Sequence, residues 1–192
     1  EFPAKYKEAL IHSANHCAVK RHMMNPSEFD YKILLAMKAA SKKTSIADVN
    51  AFLKHKRLAV AGVSRDAKKF GNVIFKDLIK KGFEPIPINP NIDEIEGHKC
   101  YPNLSALPEK VEALVLVTKP DQTLMILKEA AELGIGHLWI QQGAESPEVL
   151  SYCEEQEFNY ITGRCILMFA KPVGNIHGIH LFFSKLFGFY PT

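Results

Sequence analysis

The feature that most constrains this fold is a short apolar run, residues 58–63, that leads directly into a turn of small and basic residues. The run reads Leu-Ala-Val-Ala-Gly-Val, which is too short for a helix and lacks polar alternation. It therefore predicts a strand that is buried on both faces. An amphipathic segment, residues 72–81, follows and predicts a helix that Gly82 terminates. A strand, a tight turn and a helix in this order are typical of parallel α/β sheets.

The same alternation of apolar runs and amphipathic segments continues along the chain. The further predicted strands are 83–89, 111–118, 137–141 and 159–162, and a loop containing Gly97, Pro102 and Pro108 separates the first two of these. A helix is predicted over 120–133, and another begins at Ser146-Pro147. Crossover connections of this kind are right-handed. The pattern predicts an α/β fold with a mostly parallel five-stranded sheet and helices on both faces.

Both ends of the chain are expected to lie outside this core pattern. Residues 1–55 predict a helical N-terminal extension, with one helix over 27–40 and a second that begins at the capping box Ser45–Asp48. For residues 1–23 two interpretations stay open, a cloning-derived segment or a native helix packed on the domain. The aromatic tail, residues 172–192, is expected to cover the sheet edge or to form a subunit contact, which would make a homodimer.

Composition narrows the class of protein. Residues 1–57 carry eleven Lys and Arg against five Asp and Glu, whereas the remainder of the chain is mildly acidic. The basic residues are scattered over predicted helices, so nucleic-acid binding is not predicted. No apolar run reaches the length of a membrane span, and no signal pattern is evident. Four cysteines, which are far apart in the sequence, favour a reducing cytoplasm over a disulfide framework or a zinc site.

Ligands in open α/β sheets collect beyond the carboxyl ends of the strands, so the first turn is a candidate phosphate site. Gly62 permits a sharp turn, and Ser64 offers a hydroxyl and a backbone N–H. Gly71-Asn72 mark the start of the helix, whose N-terminus favours anions. The basic side chains of the turn are Arg65, Lys68 and Lys69. The alternative is an ordinary strand-to-helix loop with solvated lysines.

The end of the second strand discriminates between nucleotide classes. A dinucleotide-binding fold carries Gly-x-Gly-x-x-Gly after strand 1 and an acidic residue after strand 2, where it binds the ribose hydroxyls. Here Ser64 and Ala67 occupy the second and third glycine positions, and strand 2 ends at Asn89-Pro90. The missing carboxylate argues against NAD and for another adenine nucleotide.

With these motifs in place, residues 45–192 resemble the small stand-alone CoA-binding proteins. This family is related to the CoA-binding domain of the succinyl-CoA synthetase α subunit. The matching motifs are Ala61-Gly62-Val63-Ser64, Phe70-Gly71-Asn72, Pro87-Ile88-Asn89-Pro90, Ile95-Glu96-Gly97, Cys100-Tyr101-Pro102, Trp139-Ile140-Gln141-Gln142-Gly143 and Gly163-Arg164-Cys165. The resemblance implies a Rossmann-like domain, over residues 56–192, that binds coenzyme A or a CoA thioester.

The resemblance also implies where the ligand lies. Residues 62–64 would contact the phosphates, and the cleft would be lined by Asn89-Pro90, Thr118-Lys119-Pro120 and Gln142-Gly143. Most members of the family have no assigned reaction, so a binding or sensing role without catalysis is expected. The synthetase's phosphorylated histidine lies in a separate domain, and no counterpart of that domain is expected in this sequence. His177 and His180 are expected at a helix surface or dimer contact, and the alternative is a metal pair or an acid/base role. No other ligands cluster near them in the sequence, so no metal site is predicted.

Two alternative functions stay open from the residues. Cys165 follows the last strand, and the neighbouring Arg164 would favour its thiolate, so the chain could be an enzyme of CoA thiol or persulfide exchange. A small buried cysteine without chemistry is the simpler interpretation. The other alternative is a nicotinamide-nucleotide redox sensor, which the residue at position 89 disfavours.

Overall fold

The computed structural model describes residues 44–170. The predicted helix at 27–40, the segment 1–23, the aromatic tail and the histidines at 177 and 180 lie outside that range. The strands are β1 (Arg57–Ala61), β2 (Glu84–Ile88), β3 (Glu94–Ile95), β4 (His98–Lys99), β5 (Ala113–Leu116), β6 (His137–Ile140) and β7 (Asn159–Ile161). The helices are α1 (Ile46–Phe52), α2 (Phe70–Lys80), α3 (Pro120–Glu132) and α4 (Pro147–Glu155), with a 3₁₀ turn at Ile166–Met168. None of these helices is long and apolar enough to cross a membrane.

The main sheet has five strands in the order β2-β1-β5-β6-β7, and every neighbouring pair is parallel. The predicted α/β fold with a five-stranded parallel sheet is confirmed. Every residue of β5 is buried, and so are the last four of β1, as expected for strands covered on both faces. The chain runs outward from β1 to β2 and then returns to β5 on the other side of β1. That reversal of strand order is the switch point of the sheet.

Side chains alternate between the two faces of the sheet, and each face has its own layer. On the first face, α1, α2 and the 3₁₀ turn cover side chains such as Val60 and Trp139. The Phe52 and Trp139 rings meet edge-on there, with their centroids 5.3 Å apart. On the second face, α3 and α4 cover side chains such as Leu114 and Leu138. Helices on both faces are therefore confirmed, and α1 belongs to the same compact unit as the sheet.

The helix starts predicted at Ser45 and Ser146 are confirmed. The Asp48 N–H donates to Ser45 Oγ at 3.1 Å, and the Ser45 N–H donates back to Asp48 Oδ2 at 3.0 Å. At α4, Ser146 Oγ accepts the Val149 N–H at 3.2 Å, with proline at the first helical position. Helix α2 begins at Phe70, two residues earlier than predicted, because Gly71 lies inside its first turn rather than in the preceding loop.

The prediction of a plain loop between β2 and β5 is wrong for residues 94–99. These residues form a small antiparallel hairpin in which Glu94 pairs with Lys99 and Ile95 pairs with His98. The two turn residues, Glu96 and Gly97, have φ angles of 51° and 77°. Positive φ at both positions fits the turn type that short hairpins prefer. Two-residue strands carry no readable alternation, so only the turn residues could have signalled the hairpin.

Candidate functional site

A cavity of about 520 Å³ opens at the carboxyl ends of β1, β2 and β5. This is the switch point, where α2 leaves β1 toward the first face and α3 leaves β5 toward the second, so the two loops diverge and leave a crevice. Three of the four predicted strand ends meet here. The predicted residues that line the cavity are Gly62, Val63, Ser64, Lys69, Asn89, Pro90, Thr118 and Lys119.

Two glycines bring the walls of this cavity together. Gly62 has a φ of 111°, and a Cβ at that position would lie 2.7 Å from the carbonyl carbon and oxygen of Val117. A Cβ on Gly71 would lie 2.1 Å from the carbonyl oxygen of Gly62. Gly71 therefore allows the first turn of α2 to pack directly on the loop after β1, and its role is close packing rather than cavity lining.

Asn72 holds the loop after β1 in shape. It is only 2% exposed, and its Oδ1 accepts the backbone N–H of Ser64 at 2.8 Å. Its Nδ2 donates to the carbonyl oxygens of Ser64 and Asp66, both at 2.8 Å. The expectation that the Ser64 N–H is offered to a ligand is therefore wrong, because that donor is already engaged. Asn72 itself lies outside the cavity and acts on it through the loop.

Asn89 joins the ends of two strands. Its Nδ2 donates to the carbonyl oxygen of Val63 at 2.6 Å, and its Oδ1 accepts the backbone N–H of Asn91 at 2.8 Å. This residue stands where dinucleotide-binding folds carry the acid that binds ribose. Its amide is instead used to fix the wall of the cavity.

Two lysines give the cavity its positive charge. Lys69 and Lys119 are the residues that precede α2 and α3, and neither helix has a side-chain cap at that position. Both line the cavity, so two helix N-termini and two ammonium groups lie around one space. Arg65 lies outside it, and its guanidinium donates to the carbonyl oxygen of Asn91. An anionic group such as a phosphate fits this end of the cavity.

The fourth predicted strand end lies apart from the cavity. Gln142 and Gly143 follow β6, which is one strand beyond the switch point, and both are exposed. The Gln142 side chain donates to the carbonyl oxygen of Gly163 at 3.5 Å, so this loop contacts the loop after β7. Pro120 opens α3 without lining the cavity. Contact of these three residues with a ligand stays a prediction.

Cys165 also lies away from the cavity, in the loop that follows β7. It packs against the core of the first face, beside the buried Gln141, whose Oε1 accepts the Ile166 N–H at 3.3 Å. Burial raises the pKa of the Cys165 thiol, against smaller opposing effects of hydrogen bonds and Lys81. This direction is opposite to the one expected from Arg164. No group of three or more potential metal ligands lies together within residues 44–170.

One wall of the cavity was missed by the sequence reasoning. Helix α3 presents Gln122, Met125, Ile126 and Glu129 to the cavity, at the spacing i, i+3, i+4 and i+7 of a single helical stripe. Met125 is 72% exposed, which is unusual for a large apolar side chain. The helix predicted over 120–133 makes this spacing readable as a stripe. The sequence did not show which side of the sheet this stripe faces.

The matches of this chain to known families and to known protein sequences agree with one another. A family model described as a CoA binding domain matches residues 56–171. Among protein sequences, YneT of Bacillus subtilis, an uncharacterized protein, is 28% identical over 75% of this chain and 94% of its own length. The ADP-forming acetate–CoA ligase II of Archaeoglobus fulgidus is 30% identical over 72% of this chain, but the match spans only 19% of the ligase.

Among solved structures, a conserved hypothetical protein from Pyrococcus furiosus superposes with a TM-score of 0.55 and 47% sequence identity. The superposition covers 57% of this chain and 95% of that protein. The match to a small protein over nearly its whole length shows that this sheet also occurs outside large ligases.

Proposed function

Because the chain belongs to the family of CoA-binding domains, we propose that it binds coenzyme A or a CoA thioester in the cavity at the switch point, in a binding or sensing role without catalysis. The observation that carries the proposal is the chemistry of that cavity. Lys69 and Lys119 stand at two helix N-termini around it, and Asn89 replaces the acid that NAD requires.

The phosphates of the ligand would lie at the loop after β1, between these two lysines. The open N–H groups of the first turns of α2 and α3 add partial positive charge at the same place. Asn72 and Asn89 hold the loop and the end of β2 in place before any ligand arrives. A preformed wall lowers the entropic cost of binding, because fewer groups must be ordered.

Two observations weigh against the thiol-exchange alternative. Cys165 lies outside the cavity, and burial raises the pKa of its thiol, so less thiolate is present near neutral pH than in an ordinary cysteine. The nicotinamide-sensor alternative is disfavoured by Asn89, whose amide contacts Val63 and Asn91 and brings no carboxylate to a ribose. Binding of CoA is the function that the cavity supports best.

The proposal places the protein in a reducing compartment such as the cytoplasm. The three cysteines within residues 44–170 are free thiols, and Cys100 and Cys153 are buried. A homodimer through the aromatic tail stays a prediction from the sequence.

Isothermal titration calorimetry with CoA, acetyl-CoA, NAD and NADP tests the proposal. We expect CoA or acetyl-CoA to bind with an affinity in the micromolar range or weaker, and NAD to give no response. Binding of NAD without any CoA response would overturn it. Mass spectrometry of the native protein would add whether a ligand or a Cys165 adduct is retained on purification.

A further inference from the structure

We infer that the end of the cavity remote from the lysines, at Glu129 and Asn103, selects a base that presents an amino donor beside a ring-nitrogen acceptor, as adenine does. The inference rests on the proposed function, since it assumes a nucleotide whose phosphates lie at the loop after β1. It assigns specificity to two residues that line the cavity but belong to none of the predicted motifs.

The cavity is polarised along helix α3. Lys119 precedes the helix, and Glu129 lies in its second half. At the rise of an α-helix, this separation corresponds to roughly 15 Å along the axis. The cation is at the phosphate end and the carboxylate is at the remote end, and both line the same space. A ligand that is anionic throughout does not suit this arrangement. One that is anionic at one end and rich in hydrogen-bond donors at the other does.

Between the two ends the walls are apolar. Met125 and Ile126 on α3 and Pro102 on the loop after β4 line this part of the cavity. Apolar side chains of this kind suit the faces of a planar aromatic ring, which carry few hydrogen-bonding groups. The polar edge of the ring would then point along the cavity toward the remote end.

Glu129 offers an acceptor there. The backbone N–H and the hydroxyl of Ser105 both donate to its Oε1, at 2.8 and 2.6 Å. These bonds hold the carboxylate against the loop after β4, and Oε2 has no hydrogen-bond donor within residues 44–170. A carboxylate only accepts hydrogen bonds, so Oε2 is open to a donor on a ligand.

Asn103 offers the complementary donor. Its Oδ1 accepts the backbone N–H of Ala106 at 2.9 Å, which fixes the orientation of the side-chain amide. The NH₂ group is left to donate into the cavity, toward a ring nitrogen. An acceptor on Glu129 and a donor on Asn103 match the amino group and ring nitrogen of adenine. They mismatch a base with an oxo group at that position, which brings a second acceptor to a carboxylate.

The wild-type protein provides the first test, with adenosine 3′,5′-bisphosphate and inosine 3′,5′-bisphosphate as probes in calorimetry alongside CoA. The two probes differ at the base edge and share the same phosphates. We expect the adenosine probe to bind on the order of ten- to a hundredfold more tightly. Equal affinity for the two probes, with CoA binding intact, would overturn the inference and leave the proposed function standing. Loss of all three ligands overturns both.

Glu129→Gln provides the second test, because it keeps the shape of the side chain and replaces one hydrogen-bond acceptor with a donor. The glutamine oxygen can still accept the Ser105 N–H, so its NH₂ would face the cavity and favour the oxo base. We expect the preference for adenosine to fall at least tenfold or to reverse. An unchanged ratio would contradict the assignment. Asn103→Asp, which keeps the acceptor for Ala106 and removes the donor, should also lower the ratio.

Glu132→Gln is the matched control, since it makes the same change at an exposed residue of α3 that does not line the cavity. It should leave the adenosine-to-inosine ratio within about twofold of wild type. Thermal melting of each variant separates loss of the loop contact from loss of base selection. A variant that merely loosens the loop would weaken both probes equally.

Discussion

The carboxyl edge of the sheet has two halves that are alike in sequence and different in structure. The inner half, at the ends of β1, β2 and β5, holds the cavity. The outer half, at the ends of β6 and β7, carries similar small and polar residues, yet there Gln142 bonds to the Gly163 carbonyl and the two loops contact each other. The difference lies in the paths and contacts of the loops that leave the strands.

In the inner half, α2 and α3 leave adjacent strands toward opposite faces, so their loops separate. In the outer half, the loop after β7 is bonded back onto β6 and its loop. The Trp139 Nε1–H donates to the Arg164 carbonyl oxygen at 2.9 Å, and Gln141 Oε1 accepts the Ile166 N–H at 3.3 Å. A glycine-rich strand end is therefore not sufficient for a ligand site in this protein. What decides is whether the loops that leave neighbouring strands separate, as at the switch point, or are bonded to each other, as after β6 and β7.

The largest expected difference between the two halves is in the loss of stability when a glycine is replaced by alanine. Gly71→Ala would place a Cβ 2.1 Å from the Gly62 carbonyl oxygen, so α2 must move away from the loop. We expect a loss of about 3 kcal/mol or more in the free energy of unfolding, measured by urea denaturation. Gly143→Ala is the control from the outer half. Its Cβ would meet no atom within 4 Å, and only its φ of 89° is unfavourable. That conformation costs about 1 kcal/mol for a residue with a Cβ.

If the two alanine variants were equally stable, the close packing assigned to Gly71 would be wrong. The ligand response should differ too. CoA binding should be lost or strongly weakened in Gly71→Ala. Full CoA binding in Gly143→Ala would count against the predicted contact of Gly143 with the ligand.

The second contrast concerns side-chain amides. Asn72→Ala removes the partners of one N–H and two carbonyl groups in the loop after β1. We expect a loss of about 2–3 kcal/mol in unfolding free energy. Gln142→Ala removes one long bond at an exposed residue, and we expect a change within about 0.5 kcal/mol. Hydrogen exchange would report the Asn72 effect locally. Unaltered exchange of the Ser64 amide in Asn72→Ala would show that its bond to Asn72 does not protect it.

The third contrast tests charge. Lys69→Ala and Lys119→Ala each remove a cation that lines the cavity. Each should weaken CoA binding about tenfold in calorimetry, because a hydrogen bond to a charged group contributes about 1.5 kcal/mol or more. Lys68→Ala is the matched control, since Lys68 shares the loop with Lys69 but does not line the cavity. It should change the affinity by less than about twofold at physiological salt. If Lys68→Ala weakened CoA binding as much as Lys69→Ala, the lysines would attract the ligand through general electrostatics rather than bind a phosphate at a defined position.

The smallest expected effect separates the cavity from Cys165. Burial raises the pKa of this thiol, so the reactive thiolate is scarce at neutral pH and increases as the pH rises toward and beyond the ordinary value near 9.0. Iodoacetamide labelling, followed by peptide mass spectrometry, should therefore be slow at pH 7 and accelerate with pH. Saturating CoA should change the rate by less than about twofold, because the thiol lies outside the cavity. Strong protection by CoA would place the ligand in the outer half and contradict the assignment.

Several site residues were predictable because their signals are local. Gly62, Ser64 and Lys69 follow a buried strand and precede a helix, and that order alone places them at a ligand edge. Asn89 was informative because it stands at the end of the second strand, where a dinucleotide-binding fold carries an acidic residue. The hydrogen bond from Asn89 to Val63, 26 residues away in the sequence, was not predictable, because sequence patterns carry no information about such partners.

The sequence by itself determined the alternation of strands and helices, and with it the parallel sheet, because hydrophobic periodicity and helix caps act over a few residues. The tertiary structure alone decided that the first three strand ends form a cavity and the outer ones do not. It also decided that Asn72 fixes the loop after β1 and that a stripe on α3 completes the wall. The physical reason is that crossover direction and long-range hydrogen bonds arise only when the helices pack on the two faces of the sheet.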